Sequence, residues 1–221
     1  MLIINLNQGF VKVICFYPEI SFEIIPPDRQ LSVSVFALDP EADLGAAGDP
    51  FTEGTTAYVS KWCKLDPRTV PIEAKAAANY LNGMVARLES QKKGFKHAIM
   101  LDTQGFIAEG GTESVFLVKD QCLLTPSTGM VLKSITRMSI LEAAAAAGIE
   151  CIEKQLKPEL LADAEEIFLS STPFKVLPVK QINDRKLPDA PGPVTRKIAE
   201  LLNAIVAGNE DRFESWLYVV E

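Results

Sequence analysis

Apolar and polar positions alternate, cluster or recur at helical spacing along the chain, and the changes of period predict a mixed succession of strands and helices. The opening stretch MLIINLNQGFVKVICFYPEI is apolar apart from a few polar positions and reads as strand, as do Leu31 to Phe36 and Thr56 to Trp62. Between the last two, the acidic segment Asp39 to Gly54 reads as a loop with a helical turn. Lys75 to Lys93 is predicted as the first long helix, with Tyr80, Leu81, Met84, Val85 and Leu88 on its apolar face and Gly94 as its stop. His97–Leu101, Phe106–Ala108, Ser114–Val118 and Gln121–Leu124 then predict a meander of mostly antiparallel sheet, turning at Thr103-Gln104-Gly105 and Lys119-Asp120. A helix over Thr136–Ala147, ended by Gly148, precedes a strand at Ile149–Gln155 and a short helix around Pro158–Ala162. Strands at Glu166–Leu169 and Val176–Ile182 lead to a final helix, Pro193–Ala207, with Pro193 suited to its first turn. The fold class expected is α+β (mixed α/β).

Composition narrows the function classes. The chain has 221 residues, 48% hydrophobic and 23% charged, enough to bury a substantial core. A net charge of -7 and a pI near 4.9 argue against a nucleic-acid surface, which requires clustered Lys and Arg. The apolar opening lacks a basic leading region and a small-residue cleavage site, and Lys12 interrupts a span too short to cross a bilayer, so neither a signal nor a membrane partner is expected. Cys15, Cys63, Cys122 and Cys151 form no Cys-x-x-Cys pair and have no histidine nearby. That spacing argues against a metal site or a disulfide framework and for a reducing, cytoplasmic setting. His97 is the only histidine. It leads into an apolar run and reads as the opening of a strand.

The chemistry concentrates on a few residues. Lys75 stands in Pro71-Ile72-Glu73-Ala74-Lys75-Ala76-Ala77-Ala78-Asn79-Tyr80, among small apolar neighbours. Poor solvation lowers an amine's pKa toward nucleophilicity, the property a carbonyl-binding lysine needs. Downstream, Glu109-Gly110-Gly111-Thr112-Glu113 offers in Glu109 an anion for a protonated pyridine nitrogen. The amides of Ile135 and Thr136, at a helix start in Ser134-Ile135-Thr136-Arg137, could cradle a phosphate. Taken singly, each piece also fits a solvated helix lysine, a turn and an ordinary helix cap. Together, in this order, they suggest pyridoxal phosphate.

With those residues in view, the chain resembles the fold type IV (class IV) pyridoxal phosphate-dependent aminotransferases, and among them most the branched-chain amino acid aminotransferases. The resemblance rests on VSKWCKLDPRTVPIEAKAAANYLNGMVARLES, HAIMLDTQGFIAEGGTESVFLV, LLTPSTGMVLKSITRMSILEAAAAAGI, LADAEEIFLSSTPFKVLPVKQI and APGPVTRKIAELLNAIVAG, about residues 57 to 221. It implies a large domain built as a pseudo-barrel of mostly antiparallel strands with helices, here 67–221, after a remnant of the small N-terminal domain, 1–66; Gly45 to Gly54 is a second place for the boundary. It implies pyridoxal 5'-phosphate as cofactor, held by an internal aldimine to Lys75, the catalytic residue. Tyr80 matches the tyrosine bonded to the phenolate oxygen, Glu109 the partner of the ring nitrogen, and Glu113 a second carboxylate. Leu132 matches the residue packed on the ring, Ile135 and Thr136 the phosphate's backbone donors, and Thr172 a hydroxyl donor. Thr172 and Pro173 fall on the substrate-binding segment.

The implied activity is transamination between a branched-chain L-amino acid (Leu, Ile, Val) and a 2-oxo acid such as 2-oxoglutarate, in a homodimer. D-amino acid transamination, aminodeoxychorismate lyase chemistry and a non-catalytic remnant stay open as alternatives. Two departures stand out. Ser134 replaces a usual glycine, and Pro173, having no N–H, cannot donate as the aligned alanine amide would. Only 74 residues precede Lys75, so the family's phosphate-binding arginine has no recognisable counterpart, and an N-terminally truncated form is expected.

Overall fold

The computed structural model describes residues 9–43 and 49–218, which fall into two compact units dividing between residues 48 and 49. That division lies within the Gly45–Gly54 segment rather than at 66/67. Residues 1–8 of the opening apolar stretch lie outside the described residues.

In the first unit, β1 (Phe10–Phe16) pairs antiparallel with β2 (Ser32–Leu38), with Phe10 opposite Leu38 and Phe16 opposite Ser32. Valine and phenylalanine recur in both strands, side chains suited to a pleated surface.

The second unit opens with α1 (Pro50–Glu53), a single turn whose cap is Asp49 accepting from the Phe51 amide at 3.1 Å. β3 (Thr55–Val59) follows, and after a long connection a 3-10 turn at Ala77–Asn79 runs into α2 (Tyr80–Lys92). Next come β4 (His97–Leu101), β5 (Ile107–Gly110), β6 (Ser114–Lys119) and β7 (Cys122–Thr125). α3 (Ile135–Ala146), β8 (Cys151–Glu153), α4 (Leu160–Asp163) and β9 (Glu166–Ser170) continue the chain. β10 (Leu177–Ile182), the short β11 (Arg185–Lys186), α5 (Pro193–Val206) and a 3-10 segment at Asp211–Trp216 follow.

The nine-stranded sheet has the order β5-β4-β3-β10-β9-β6-β7-β8, with β11 on β10. Three pairings are parallel, β3 with β4, β3 with β10, and β7 with β8; the others are antiparallel. The predicted meander is corrected at one point. β5 and β6 are consecutive in sequence but do not pair along this path; β5 is an end strand and β6 lies beside β9. A turn too short to cross a flat sheet joins them, the Gly110 amide bonding the Glu113 carbonyl at 2.6 Å, so the sheet must curl until its end strand meets β6. That junction carries the Glu-Gly-Gly-Thr-Glu motif.

The curled sheet buries two apolar layers. One contains Ile99, Val115, Leu117, Leu156, Ile167, Leu169 and Val179; the other packs Phe116, Leu123, Ile140, Phe168, Ile198 and Leu202 under α3 and α5, with Phe116 and Phe168 stacked at 4.8 Å. α5 follows its predicted bounds. Its apolar positions Ile198, Leu202 and Ile205 recur at helical spacing, and Glu166 of β9 accepts from the Val194 and Thr195 amides at its start.

α2 departs from expectation. The residues it buries are Gly83, Ala86 and Ser90, while Leu81, Met84 and Leu88 are exposed. Close approach explains this reversal: Ala86 packs on Ala98 and Met100 of β4, and a Cβ on Gly83 would meet the Gly111 carbonyl oxygen at 1.9 Å. Only small side chains fit between the helix and the sheet.

Candidate active site

One cavity gathers most of the residues singled out from sequence. Lys75, Tyr80, Glu109, Glu113, Leu132 and Thr172 all line it, although they come from four separate stretches of chain. Lys64, Ile72, Ser134 and Ser171 share the wall.

Lys75 lies two residues before the 3-10 turn, at the centre of a tight turn in which the Ala76 amide donates to the Ala74 carbonyl at 2.8 Å, rather than on the helix where the sequence pattern put it. Ile72 is buried and anchors the approach, and the Asn79 side chain donates to the Ala74 carbonyl at 3.3 Å. These contacts fix the backbone while leaving the lysine exposed toward the cavity. This non-helical connection also removes a difficulty of spacing. Five residues on an ideal helix would turn Lys75 and Tyr80 apart, whereas here both face one cavity.

Glu109 stands at the end of β5 with its side chain 11% exposed. One carboxylate oxygen pairs with the Lys64 ammonium, and the other accepts the Leu132 amide at 3.1 Å. Glu113 is more deeply placed. Oε1 accepts the Thr112 hydroxyl at 2.8 Å and faces His97 Nδ1 at 3.2 Å; Oε2 accepts the Thr112 amide at 3.0 Å. Arg87 Nη1 is 3.7 Å from the same carboxylate. Burial pushes the Glu113 carboxyl up, yet the His97 bond and charge, with the Thr112 donors, outweigh it and hold the group below its ordinary value.

The charges are therefore sorted. Both carboxylates of the cavity have cationic partners, and of the two lysines lining it Lys64 is committed to Glu109. Lys75 has no carboxylate within ion-pair distance among the described residues. An amine without a counter-charge is the one available to attack a carbonyl.

α3 begins beside the same cavity. Ser134 is its N-cap, its hydroxyl accepting the Arg137 amide at 3.4 Å. The Ile135 and Thr136 amides belong to the first turn, where no intrahelical acceptor exists. Neither Ile135 nor Thr136 lines the cavity itself, and Ile135 is 78% exposed, so their part in the site is confined to backbone amides beside Ser134. Pro173 is not brought to the site. It lines a separate surface depression with Phe51, Phe174 and Asn203, while Ser171 and Thr172 face the cavity. Arg137 is buried and turned away, bonding the Pro126 carbonyl at 2.6 Å and Glu153.

Sequence reasoning missed Lys64. A lysine in Trp62-Cys63-Lys64-Leu65 has no periodic or motif signal of its own, and only the folded sheet sets it against Glu109. The pairing of His97 with Glu113 was likewise invisible across the 15 intervening residues.

The donor set fits a phosphorylated pyridine aldehyde: an unpaired amine, a fixed carboxylate, and hydroxyls next to the free amides of a helix start. No arginine lines the cavity among the described residues.

Comparison with known proteins identifies the family. Residues 7–182 match the family model described as amino-transferase class IV. The branched-chain-amino-acid aminotransferase of Salmonella typhimurium is 33% identical over 216 residues, covering 96% of this chain and 69% of the relative. The crystal structure of the Escherichia coli branched-chain amino acid aminotransferase superposes with a TM-score of 0.87 at 32% identity, covering 95% of this chain and 69% of that one. The branched-chain amino acid aminotransferase from Thermobaculum terrenum, in its PLP-form (holo-form), gives a TM-score of 0.79 at 29% identity, over 88% of this chain and 62% of that one.

Proposed function

The chain belongs to the class IV amino-transferase family, and we propose that it binds pyridoxal 5'-phosphate and exchanges the amino group of a branched-chain L-amino acid with a 2-oxo acid such as 2-oxoglutarate. The observation that carries this reading is the unpaired Lys75 in one cavity with a doubly held Glu109. When bound, the cofactor supplies an electron sink for a carbanion at the substrate's alpha carbon and a carrier for the amino group.

The remaining work falls to this chain's own residues. Lys75 would hold the cofactor's aldehyde carbon and would serve as the base that moves the proton at the substrate's alpha carbon. Glu109 would accept a charge-assisted hydrogen bond from the protonated ring nitrogen, and Tyr80 would donate to the phenolate oxygen. Leu132 would pack on the ring. The Ile135 and Thr136 amides and the Thr172 hydroxyl would receive the phosphate, with Ser134 and Ser171 on the same cavity wall. Glu113 holds the Gly110–Thr112 turn in place through its bonds to Thr112. Branched aliphatic substrates are supported by the named activity of the relatives, and a cytoplasmic homodimer is the form the resemblance implies. No helix among the described residues is long and apolar enough to cross a membrane.

The test is an absorbance titration of the protein with pyridoxal phosphate, before and after borohydride, with Lys75→Ala as control. An absorption band near ~410 nm that borohydride fixes onto Lys75, and that leucine or valine shifts toward ~330 nm, is expected. Absence of the band at saturating cofactor would instead favour the non-catalytic reading, which is motivated by the described residues lining the cavity including no arginine.

A further inference from the structure

Lys64 is one of two lysines in the cavity and has no role in the proposed chemistry. Its side chain is only 10% exposed, an unusual place for a lysine, and it is held rather than loosely inserted. The backbone is pinned at three successive residues. The Cys63 carbonyl accepts from the Asn82 side chain at 2.9 Å, the Lys64 amide donates to the Leu101 carbonyl at 2.7 Å, and the Leu65 amide donates to Asn82 Oδ1 at 3.2 Å. Asn82 belongs to the first turn of α2, the helix that follows Lys75, so the elements placing Lys64 and Lys75 are linked.

We propose that Lys64 is a positioning residue, which acts through Glu109 to present a charged, oriented carboxylate to the ring nitrogen of the bound pyridine; this rests on the reading given under Proposed function. The geometry supports it from both sides of the carboxylate. Lys64 takes one oxygen and the Leu132 amide the other, so the carboxyl plane is fixed by two separate segments before any ligand arrives. An ionised carboxylate has about four lone-pair sites, and two remain for a donor entering from the cavity. Without the ammonium, Glu109 would be a buried carboxylate with neither counter-charge nor fixed plane, a state that desolvation disfavours. Lys64 is itself kept from competing with Lys75, because its ammonium is already committed.

The experiment compares binding of pyridoxal phosphate with binding of its carbocyclic analogue, in which a C–H replaces the ring nitrogen, to the wild-type chain, Lys64→Met and Lys64→Arg. Borohydride trapping and peptide mapping on the wild type report separately whether Lys75 holds the aldehyde. Wild type should prefer pyridoxal phosphate by about 10- to 100-fold, the value of one charge-assisted hydrogen bond. Lys64→Met should reduce that preference to within about threefold while leaving affinity for the analogue near wild type, and Lys64→Arg should restore most of it. A general structural role would weaken both ligands together and overturn the proposal. So would an unchanged or increased preference in Lys64→Met. Failure of wild type to bind either compound, or trapping away from Lys75, would count against the cofactor reading itself.

Discussion

The contact between α2 and the Glu-Gly-Gly turn invites a single-atom test, Gly83→Ala. The added Cβ would sit 1.9 Å from the Gly111 carbonyl oxygen and 2.8 Å from its carbon, where ordinary contact begins at 3.4 Å. Both obstacles are backbone, so no side chain can swing aside. Relief requires helix and turn to separate by about 1.5 Å. Overpacking of this kind costs about 1–3 kcal/mol, and alanine's better helix propensity returns about 1 kcal/mol, leaving a net loss of about 0–2 kcal/mol. The consequence for the site should be larger. Separation shifts Gly111, between Glu109 and Glu113, relative to Lys75 and Tyr80 at the head of the helix, and a 1 Å misplacement of reacting groups can cost about 100-fold. Urea unfolding would measure the first quantity, and pyridoxal phosphate affinity and transamination rate the second. Met84→Ala, on the exposed face of the same helix, serves as control. A Gly83→Ala chain with wild-type stability and at least a third of wild-type activity would refute the claim that this approach is obligatory.

Two further outcomes follow from contacts remote from the cavity or beside it. Glu166, 5% exposed, accepts the Val194 and Thr195 amides at 2.9 and 2.7 Å, so Glu166→Ala should lower stability by about 2–4 kcal/mol in urea unfolding and expose α5 to hydrogen exchange at its first turn. Glu113 and Asp66 both have carboxyl pKa values below their ordinary ones, Asp66 through the Arg68 side chain first and the Thr103 hydroxyl second. A depressed carboxyl binds fewer protons folded than unfolded, so its contribution is complete above its unfolded value, 4.5 for Glu113 and 3.8 for Asp66, and is lost as pH falls through the folded value. Stability measured from pH 7 to pH 3 should therefore fall less steeply in Glu113→Gln and in Asp66→Asn than in wild type; equal slopes would show that neither carboxyl carries the acid sensitivity.

What the sequence determined by itself was local and ordered. Helix α5 could be read nearly to its ends because Pro193 starts it, Ile198, Leu202 and Ile205 repeat at its period, and glycine follows it. Lys75 and Glu109 could be named from short motifs in a fixed order, and Tyr80, Leu132 and Thr172 from the family resemblance that those motifs carry; the fold sets all five around one cavity. The strand positions were also mostly legible, since β-branched and aromatic runs between turn residues mark them. Which strands became neighbours was not, because pairing depends on closure between distant segments, and a three-residue turn between β5 and β6 reads the same whether the sheet is flat or curled. The face of α2 was misread for a related reason. Apolar size predicts burial only where there is room, and the close approach of α2 to Gly111 and to β4 leaves room for Gly83 and Ala86 on its inner face, while Leu81 and Met84 are exposed. Lys64 against Glu109 and His97 against Glu113 are the sharpest cases. A charged side chain's partner is chosen by position in space and by the cost of leaving either charge buried alone, and only the tertiary structure brings those groups within reach.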